Sequence, residues 1–148
     1  MAEDKLPILL RLAKDEEQAR GRDLLALREQ RADAEVQAQS LEDMLDQYRT
    51  ERQTVEASDS TRLANFQRFY CAVRETLSGH GAHVERLRDD ELRGEQAWQT
   101  AHRKHQAIRR LADNRIAQQR REATRKERRA GVFRRWTMLN RQDQEQDN

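Results

Sequence analysis

The chain has few of the residues that shape compact globular domains. Its 148 residues include one cysteine, one proline and five glycines, and aromatic residues make up only 5%. A single cysteine excludes an intramolecular disulfide, and no segment approaches the ~20 consecutive apolar residues of a membrane-spanning helix. Charged residues instead make up 38%, which is typical of long helices and coiled coils. We therefore expect no enzyme core and no cofactor.

Apolar residues recur at alternating steps of three and four through the first 55 residues. A seam of this kind, sustained over about seven heptads, predicts a helix that pairs with another helix. Pro7 fits the first turn of such a helix, where its missing N–H would have no partner anyway. The seam consists of Leu6, Leu10, Ala13, Leu24, Leu27, Ala34, Ala38, Leu41, Leu45, Tyr48 and Val55.

A second apolar seam follows a short polar segment. Ser and Asp side chains between residues 57 and 61 are able to cap a new helix, so this segment is the expected turn of a helical hairpin. Gly79 and Gly81 weaken the second helix by about 1 kcal/mol each, yet the seam resumes in phase after them, which predicts a continuous helix. Its apolar positions are Phe66, Tyr70, Val73, Leu77, Val84, Leu87, Trp98, Ala101, Ile108 and Ala112.

In an antiparallel pair of helices, the position numbers of two facing residues add up to the same total at every level. A fold about Asp59 satisfies this rule for both seams and brings them into register. Leu45 then faces Val73, and Ala34 faces Val84. The predicted fold is all-α: a long antiparallel two-helix coiled coil, or helical hairpin, whose second helix is longer and overhangs. Two chains could pair in the same way, so the oligomeric state stays open.

The expected boundaries treat residues 1–148 as a single coiled-coil rod. Helix one is expected at about 5–57, the turn at about 58–60 and helix two at about 61–130. Residues 131–148 are expected to form a partly disordered tail.

Positive charge is concentrated late in the chain. Residues 1–60 hold fifteen acidic and nine basic residues, whereas residues 109–135 hold eleven basic and three acidic ones. This basic stretch begins where helix one has no residues left to face it. It is either a docking arm for an acidic or nucleic-acid partner or a solvated helix end. Ile116, Phe133 and Trp136, among other apolar residues without a partner in the chain, favour docking.

Other chemistry is weakly represented. His80 and His83, and likewise His102 and His105, stand three residues apart on one helix face, but no carboxylate or cysteine cluster completes a metal site, so none is expected. No phosphate-binding loop or nucleophile motif occurs. The basic helix leaves nucleic-acid binding as an alternative function, although the Asn-rich base-reading pattern of basic-zipper helices is missing. A generic coiled-coil scaffold is a further alternative.

Several segments together resemble the FliJ family of flagellar type III export proteins, whose injectisome counterparts are YscO-like. They are the opening with Leu6, Leu9 and Leu12, the stretch 45–49 (LDQYR), the stretch 65–69 (NFQRF) and the stretch 111–115 (LADNR) before the basic residues. The order and lengths of the segments carry the resemblance across most of the chain. They do not distinguish a flagellum from an injectisome.

The resemblance implies a non-enzymatic regulator or stalk of an ATPase. In this family the helical ends are thought to enter the central hole of a hexameric export ATPase ring, while the hairpin end reaches toward the membrane export gate. Export chaperones and the ATPase regulator are the other implied partners. A cytoplasmic location, peripheral at the inner-membrane export apparatus, follows from the same resemblance.

The resemblance also nominates site residues. The sequence matches the family pattern for the gate-binding surface at Gln37, Leu41, Tyr48, Phe69, Val73 and His80. It departs from that pattern at Met44 and Thr76. Leu41, Tyr48 and Val73 are also seam residues, and His80 is a polar position in the register of the second seam. Holding the two helices together is therefore an equally good role for these four. Ring contacts are expected from the basic stretch, at Arg110, Arg115, Arg120, Arg121, Arg125 and Arg128.

Overall fold

The described residues, 5–54 and 59–146 of a computed structural model, form two α-helices. Helix α1 spans Leu6–Thr54 and helix α2 spans Ser60–Gln146. No strand occurs within these two ranges. The second helix is the longer, and the two helices pack against each other as an antiparallel hairpin, which confirms the predicted fold class.

Polar residues at the turn start the second helix. The Asp59 carboxylate accepts a hydrogen bond from the backbone N–H of Arg62 at 3.1 Å, and the Asp59 carbonyl accepts one from Leu63 at 3.1 Å. The carboxylate contact satisfies an N–H group that the first turn of a helix leaves without a partner, and the carbonyl contact is the first hydrogen bond of the helix itself. Residues 55–58, which include most of the predicted turn and the seam residue Val55, lie outside the described residues.

The second helix runs beyond the end expected near residue 130. It includes residues 131–146, where a partly disordered tail was expected, while residues 147–148 lie outside the described range. Gly131 is the single strong helix breaker in this stretch, and one glycine costs only about 1 kcal/mol. The helix is likewise continuous through Gly79 and Gly81, as predicted, with no positive φ angle.

Contacts group the chain into two units, each made from parts of both helices. The hairpin unit is Asp15–His102, and the terminal unit consists of Met1–Lys14 together with Arg103–Asn148.

Every buried apolar residue among those described occupies a predicted seam position. In the hairpin unit, Ala34, Val84 and Leu87 form one buried cluster, and the pairing of Ala34 with Val84 is the one that the constant sum predicts. Burial of this seam provides the apolar contact that two helices of such polar composition need. The buried residues are Leu6, Ala13, Leu24, Ala34, Leu45, Val73, Val84, Leu87 and Ala101.

The terminal unit has a smaller apolar contact. Leu6 is buried, and together with Leu10 it lines a shallow groove with Ala112 and Ile116 of α2. This places Leu6 beside Ala112, as the register predicts, and extends the apolar contact one helical turn further than expected, to Ile116. From residue 120 to residue 146 every side chain is exposed except Gly131 and Thr137, which are half-buried.

Candidate functional surfaces

The hairpin unit carries all six predicted gate-binding residues, but these side chains are not equally accessible. Gln37 and Phe69 are exposed, Leu41, Tyr48 and His80 are half-buried, and Val73 is only 8% exposed. A side chain as buried as Val73 contributes mainly to packing between the helices. The accessible members of the set are therefore Gln37 and Phe69.

Tyr48 joins the two helices through an aromatic cluster. Its ring stacks on Phe69 with centroids 4.2 Å apart and planes at 18°, and it meets Phe66 edge-on at 5.1 Å. Phe69 nevertheless keeps 40% of its surface exposed. The sequence placed Phe69 beside the seam and not in it, and this arrangement matches that placement. Tyr48 thus holds an exposed phenylalanine in a fixed orientation, which favours contact with a partner.

His80 is used within the hairpin unit. Its Nε2 atom lies 3.1 Å from the carbonyl oxygen of Ala34 on the opposite helix, a contact in which Nε2–H donates to the carbonyl. His80 therefore bridges the helices, in agreement with the packing role of the seam. His102 makes a comparable cross-helix contact from Nδ1 to the Glu17 carboxylate at 3.0 Å. Within residues 5–54 and 59–146, no cluster of three or more His, Cys, Asp or Glu side chains suits a metal ion.

An ion-pair network crosses the hairpin at its middle. Arg31 pairs with both Glu35 and Glu91, and Arg28 lies 3.4 Å from Glu91. Arg88 reaches Glu35 from the other helix at 3.1 Å. Hydrogen bonding from Arg88 is the main cause that lowers the pKa of Glu35 below its ordinary value. Two of these residues, Arg31 and Glu91, interrupt the predicted seams, so they fix the register by charge where apolar contact is missing.

A groove near the turn combines aromatic rings with arginines. The Tyr70 hydroxyl accepts hydrogen bonds from Arg49 at 3.0 and 3.3 Å, and the Arg49 guanidinium lies over the same ring. This contact raises the pKa of Arg49, which therefore stays charged. The groove encloses about 290 Å³ and is lined by Tyr48, Arg49, Arg52, Phe66, Gln67, Tyr70, Cys71 and Arg74. Sequence reasoning missed it, because Arg49 and Arg74 lie outside the seams and Arg52 is a polar interruption of the first seam.

The terminal unit carries all six predicted ring-binding arginines. Each is exposed on α2, and among the described residues no carboxylate is seen to pair with Arg120, Arg121, Arg125 or Arg128. At about 100° per residue, Arg121, Arg125 and Arg128 fall within about 60° of one another on one face of the helix. Arg120 points to a different side. Arg110 falls on the same side of the helix about three turns earlier, and Arg115 lies on another side. We call Arg121, Arg125 and Arg128 the arginine face.

Apolar side chains continue this arginine face toward the end of α2. Val132 and Trp136 are 68% and 58% exposed, and they line a shallow groove with Arg128, Arg129 and Phe133. The neighbouring rings of Phe133 and Trp136 lie 6.3 Å apart. Exposed apolar residues this close together point to an external partner. The sequence singled out Phe133 and Trp136 for this reason, and the structure confirms their exposure.

Comparison with known proteins gives one match. No curated protein and no solved structure matches the chain. The family model described as flagellar FliJ protein matches residues 2–130, which covers both seams, the turn and the whole arginine face. No helix among the described residues is long and apolar enough to cross a membrane. The match covers most of the chain, so the chain belongs to the FliJ family, non-catalytic components of flagellar type III protein export.

Proposed function

We propose that the protein acts as a central stalk of the flagellar export apparatus. The arginine face of its terminal unit inserts into the hexameric export ATPase ring and raises the rate of ATP hydrolysis, and its hairpin unit contacts the membrane export gate. The observation that carries this proposal is the exposed, unpaired arginine face of α2 in a chain of the FliJ family.

Charge supports the ring contact. Arg121, Arg125 and Arg128 lie close together on one side of α2, and no carboxylate of the described chain is seen to neutralise them. Guanidinium groups in this arrangement suit carboxylates or backbone carbonyls that line a ring. Because such a contact is partly electrostatic, its association rate and affinity fall as the salt concentration rises.

Charge reversal tests the ring contact. The triple variant Arg121→Glu, Arg125→Glu and Arg128→Glu should lose both association with the cognate export ATPase and stimulation of its ATP hydrolysis. A matched reversal of Arg68 and Arg86, exposed arginines of the hairpin unit, should leave both intact. Far-ultraviolet circular dichroism confirms that helicity is retained in both variants. Undiminished association of the triple variant would refute the assignment of the ring contact to this face.

A second proposal concerns the export gate. Gln37 and Phe69 are the exposed members of the matched set, and Tyr48 holds the Phe69 ring by stacking. We propose that Gln37 and Phe69 make direct contact with the cytoplasmic domain of the gate protein, while Tyr48 keeps the Phe69 ring in place. Leu41, Val73 and His80 act by keeping the two helices in register beneath that surface.

Alanine variants separate contact from support. Phe69→Ala should weaken binding to the cytoplasmic domain of the gate protein with little change in thermal unfolding, whereas Val73→Ala should lower the unfolding temperature. Leu92→Ala is the matched control, since Leu92 is 58% exposed in the same unit but is not a member of the set. If Phe69→Ala binds the gate as well as Leu92→Ala does, the proposed contact is wrong.

The proposal includes the remaining partners that the family suggests. Escort of export chaperones and contact with the ATPase regulator are roles for the same stalk, which would place the protein in the cytoplasm at the inner-membrane export apparatus. Pull-down of an export chaperone by the wild-type protein, with and without the ATPase, is the direct measurement. A stalk with an escort function retains the chaperone in both cases.

The arginine face also fits a different function, nucleic-acid binding. A nucleic-acid binder would stay on a DNA or RNA column at physiological salt and elute with a steep salt dependence. The stalk proposal predicts elution at low salt, together with stimulated ATP hydrolysis. A generic scaffold would show neither retention on the column nor any effect on hydrolysis.

A further inference from the structure

The last turns of α2 form a basic, apolar segment that lies mostly beyond the FliJ family match. The match ends at residue 130, whereas the helix continues to Gln146. Within residues 128–142 the sequence has five arginines and no acidic residue. We call this stretch the tip segment. Its arginines are Arg128, Arg129, Arg134, Arg135 and Arg141.

Apolar side chains of the tip segment form a stripe along the helix. Val132, Trp136 and Leu139 fall within about 60° of one another at about 100° per residue, and Phe133 borders them. All four are more than half exposed. Arg134 and Arg141 lie on the opposite side. An arginine-rich helix with a tryptophan-containing apolar stripe is the composition of helices that lie in the interface of a membrane.

We propose that the tip segment binds the surface of a membrane that contains anionic phospholipids. The stripe enters the boundary between headgroups and acyl chains, and the arginines contact lipid phosphates. The segment shares Arg128 with the proposed ring contact, but the lipid contact does not depend on the ring or gate proposals. The helix lies on the surface, because no described helix is apolar enough to span a membrane.

The position of two arginines favours lipid over a protein groove. Arg128 and Arg129 line the same groove as Val132, Phe133 and Trp136. In a closed protein groove both guanidinium groups would lose water, at a cost that only well-placed carboxylates could offset. At a membrane interface the long arginine side chains reach out to the phosphates while the rings stay among the acyl chains. Trp136, in the middle of the stripe, prefers that boundary.

Acidic residues set the far limit of the tip segment. Asp143 and Glu145 follow Arg141 after one glutamine, and an anionic surface repels them. Membrane contact should therefore centre on residues 128–141 and leave the final residues in water. Attraction by arginines near an anionic surface extends only over about one Debye length, so binding should weaken when the salt concentration rises.

Tryptophan fluorescence tests the proposal directly. The chain has two tryptophans, Trp98 and Trp136, so the variant Trp98→Phe leaves Trp136 as the reporter. With vesicles of phosphatidylcholine that contain a minority of phosphatidylglycerol, its emission should shift to the blue, and flotation should carry the protein with the vesicles. Vesicles of phosphatidylcholine alone should give a much smaller effect. High salt should reverse most of the binding.

Variants of the tip segment separate charge from apolar contact. Arg134→Gln with Arg135→Gln should lower the partition coefficient by roughly thirtyfold, whereas Arg68→Gln with Arg86→Gln in the hairpin unit should leave it unchanged. Trp136→Ala, made in the chain that keeps Trp98, should lower the partition coefficient measured by flotation by more than about tenfold. Equal helicity of all variants, measured by circular dichroism, excludes unfolding as the cause.

Two outcomes would overturn the proposal. The first is an unchanged Trp136 spectrum with anionic vesicles, accompanied by no flotation. The second is equal binding to neutral and anionic vesicles. A blue shift with the export ATPase ring alone, and none with vesicles, would assign the stripe to a protein partner and refute the lipid contact. Vesicle binding by a chain that fails to stimulate the ATPase would uphold the lipid contact and refute only the stalk.

Discussion

Glycines in the two helices give a sharp test of the described packing. A Cβ atom added at Gly79 or Gly81 would meet nothing within 4 Å, whereas one added at Gly94 would lie 2.9 Å from the Cδ1 atom of Leu27. None of the three glycines has a positive φ angle. Alanine at each position therefore gains helix propensity, but only at Gly94 does it also crowd a neighbouring side chain.

The expected gain follows from helix propensity. Replacing one helical glycine with alanine stabilises a helix by about 1 kcal/mol, so the double variant Gly79→Ala and Gly81→Ala should gain about 2 kcal/mol in the free energy of unfolding. For a chain of this size that corresponds to a rise of about 4–8 °C in the midpoint temperature. Gly94→Ala should gain less than Gly79→Ala, because the Cδ1 end of the Leu27 side chain must shift to make room for the new Cβ atom.

Circular dichroism at 222 nm during thermal and urea unfolding measures these differences. The two transitions should coincide if unfolding is two-state, which allows the free energies to be compared. Gly21→Ala is a useful third variant, since the added Cβ would contact the Trp98 ring at an ordinary 3.5 Å, and it should gain as Gly79→Ala does. If Gly94→Ala stabilises the chain as much as Gly79→Ala, the described contact between the helices at Leu27 is wrong.

Three further predictions concern the hairpin unit. Leu87→Ala, which empties part of a buried cluster, should lower the free energy of unfolding by about 2–3 kcal/mol in a urea titration; an effect below about 0.5 kcal/mol would contradict its burial. Acidification should destabilise the unit, because hydrogen bonding from Arg88 lowers the pKa of Glu35 below its ordinary value. The stabilisation from this ion pair is fully present above the ordinary pKa of a glutamate, and it is lost as the pH falls through the lowered pKa of Glu35. In a plot of unfolding temperature against pH, Glu35→Gln should reduce the fall in unfolding temperature at acidic pH. An unchanged fall at acidic pH would contradict the ion pair. Tyr48→Ala should release the Phe69 ring and weaken gate binding as Phe69→Ala does, whereas Tyr48→Phe, which keeps the stacked ring, should not; equal losses from both Tyr48 variants would refute the stacking argument.

The pairing of the helices was readable from sequence because it depends on periodicity. A constant sum of position numbers placed Ala34 opposite Val84 and Leu6 beside Ala112, and all the buried apolar residues of the described chain fall on the two predicted seams. Burial of an apolar stripe leaves little freedom in the phase of the two helices. The helix cap at Asp59 was predicted separately, from the Ser and Asp side chains between residues 57 and 61.

Contacts made by long side chains were less accessible to sequence reasoning. The constant sum put Arg31 opposite Leu87, whereas its guanidinium reaches one turn further to Glu91. Likewise, the sequence placed Phe69 beside the seam but gave no means of predicting that its ring stacks on Tyr48, since that depends on the rotamers of both side chains. A register argument predicts which backbone positions lie opposite each other, but it does not predict where the ends of long side chains make contact.

The end of α2 was misjudged for a different reason. The sequence after residue 130 holds no proline to end the helix, and α2 continues to Gln146. A helix that has already formed is extended at little cost per residue. A proline or a capping residue therefore predicts the end of a helix better than a single glycine, which only weakens the helix.

The central claim is that the arginine face of α2 makes this chain the stalk of an export ATPase. ATP hydrolysis by the cognate export ATPase, measured with and without the protein while size-exclusion chromatography counts the chains in each complex, tests that claim most directly. The account predicts stimulated hydrolysis with one copy per hexameric ring, and loss of both when Arg121, Arg125 and Arg128 are reversed to glutamate. Unchanged hydrolysis and no complex with the wild-type protein would contradict it.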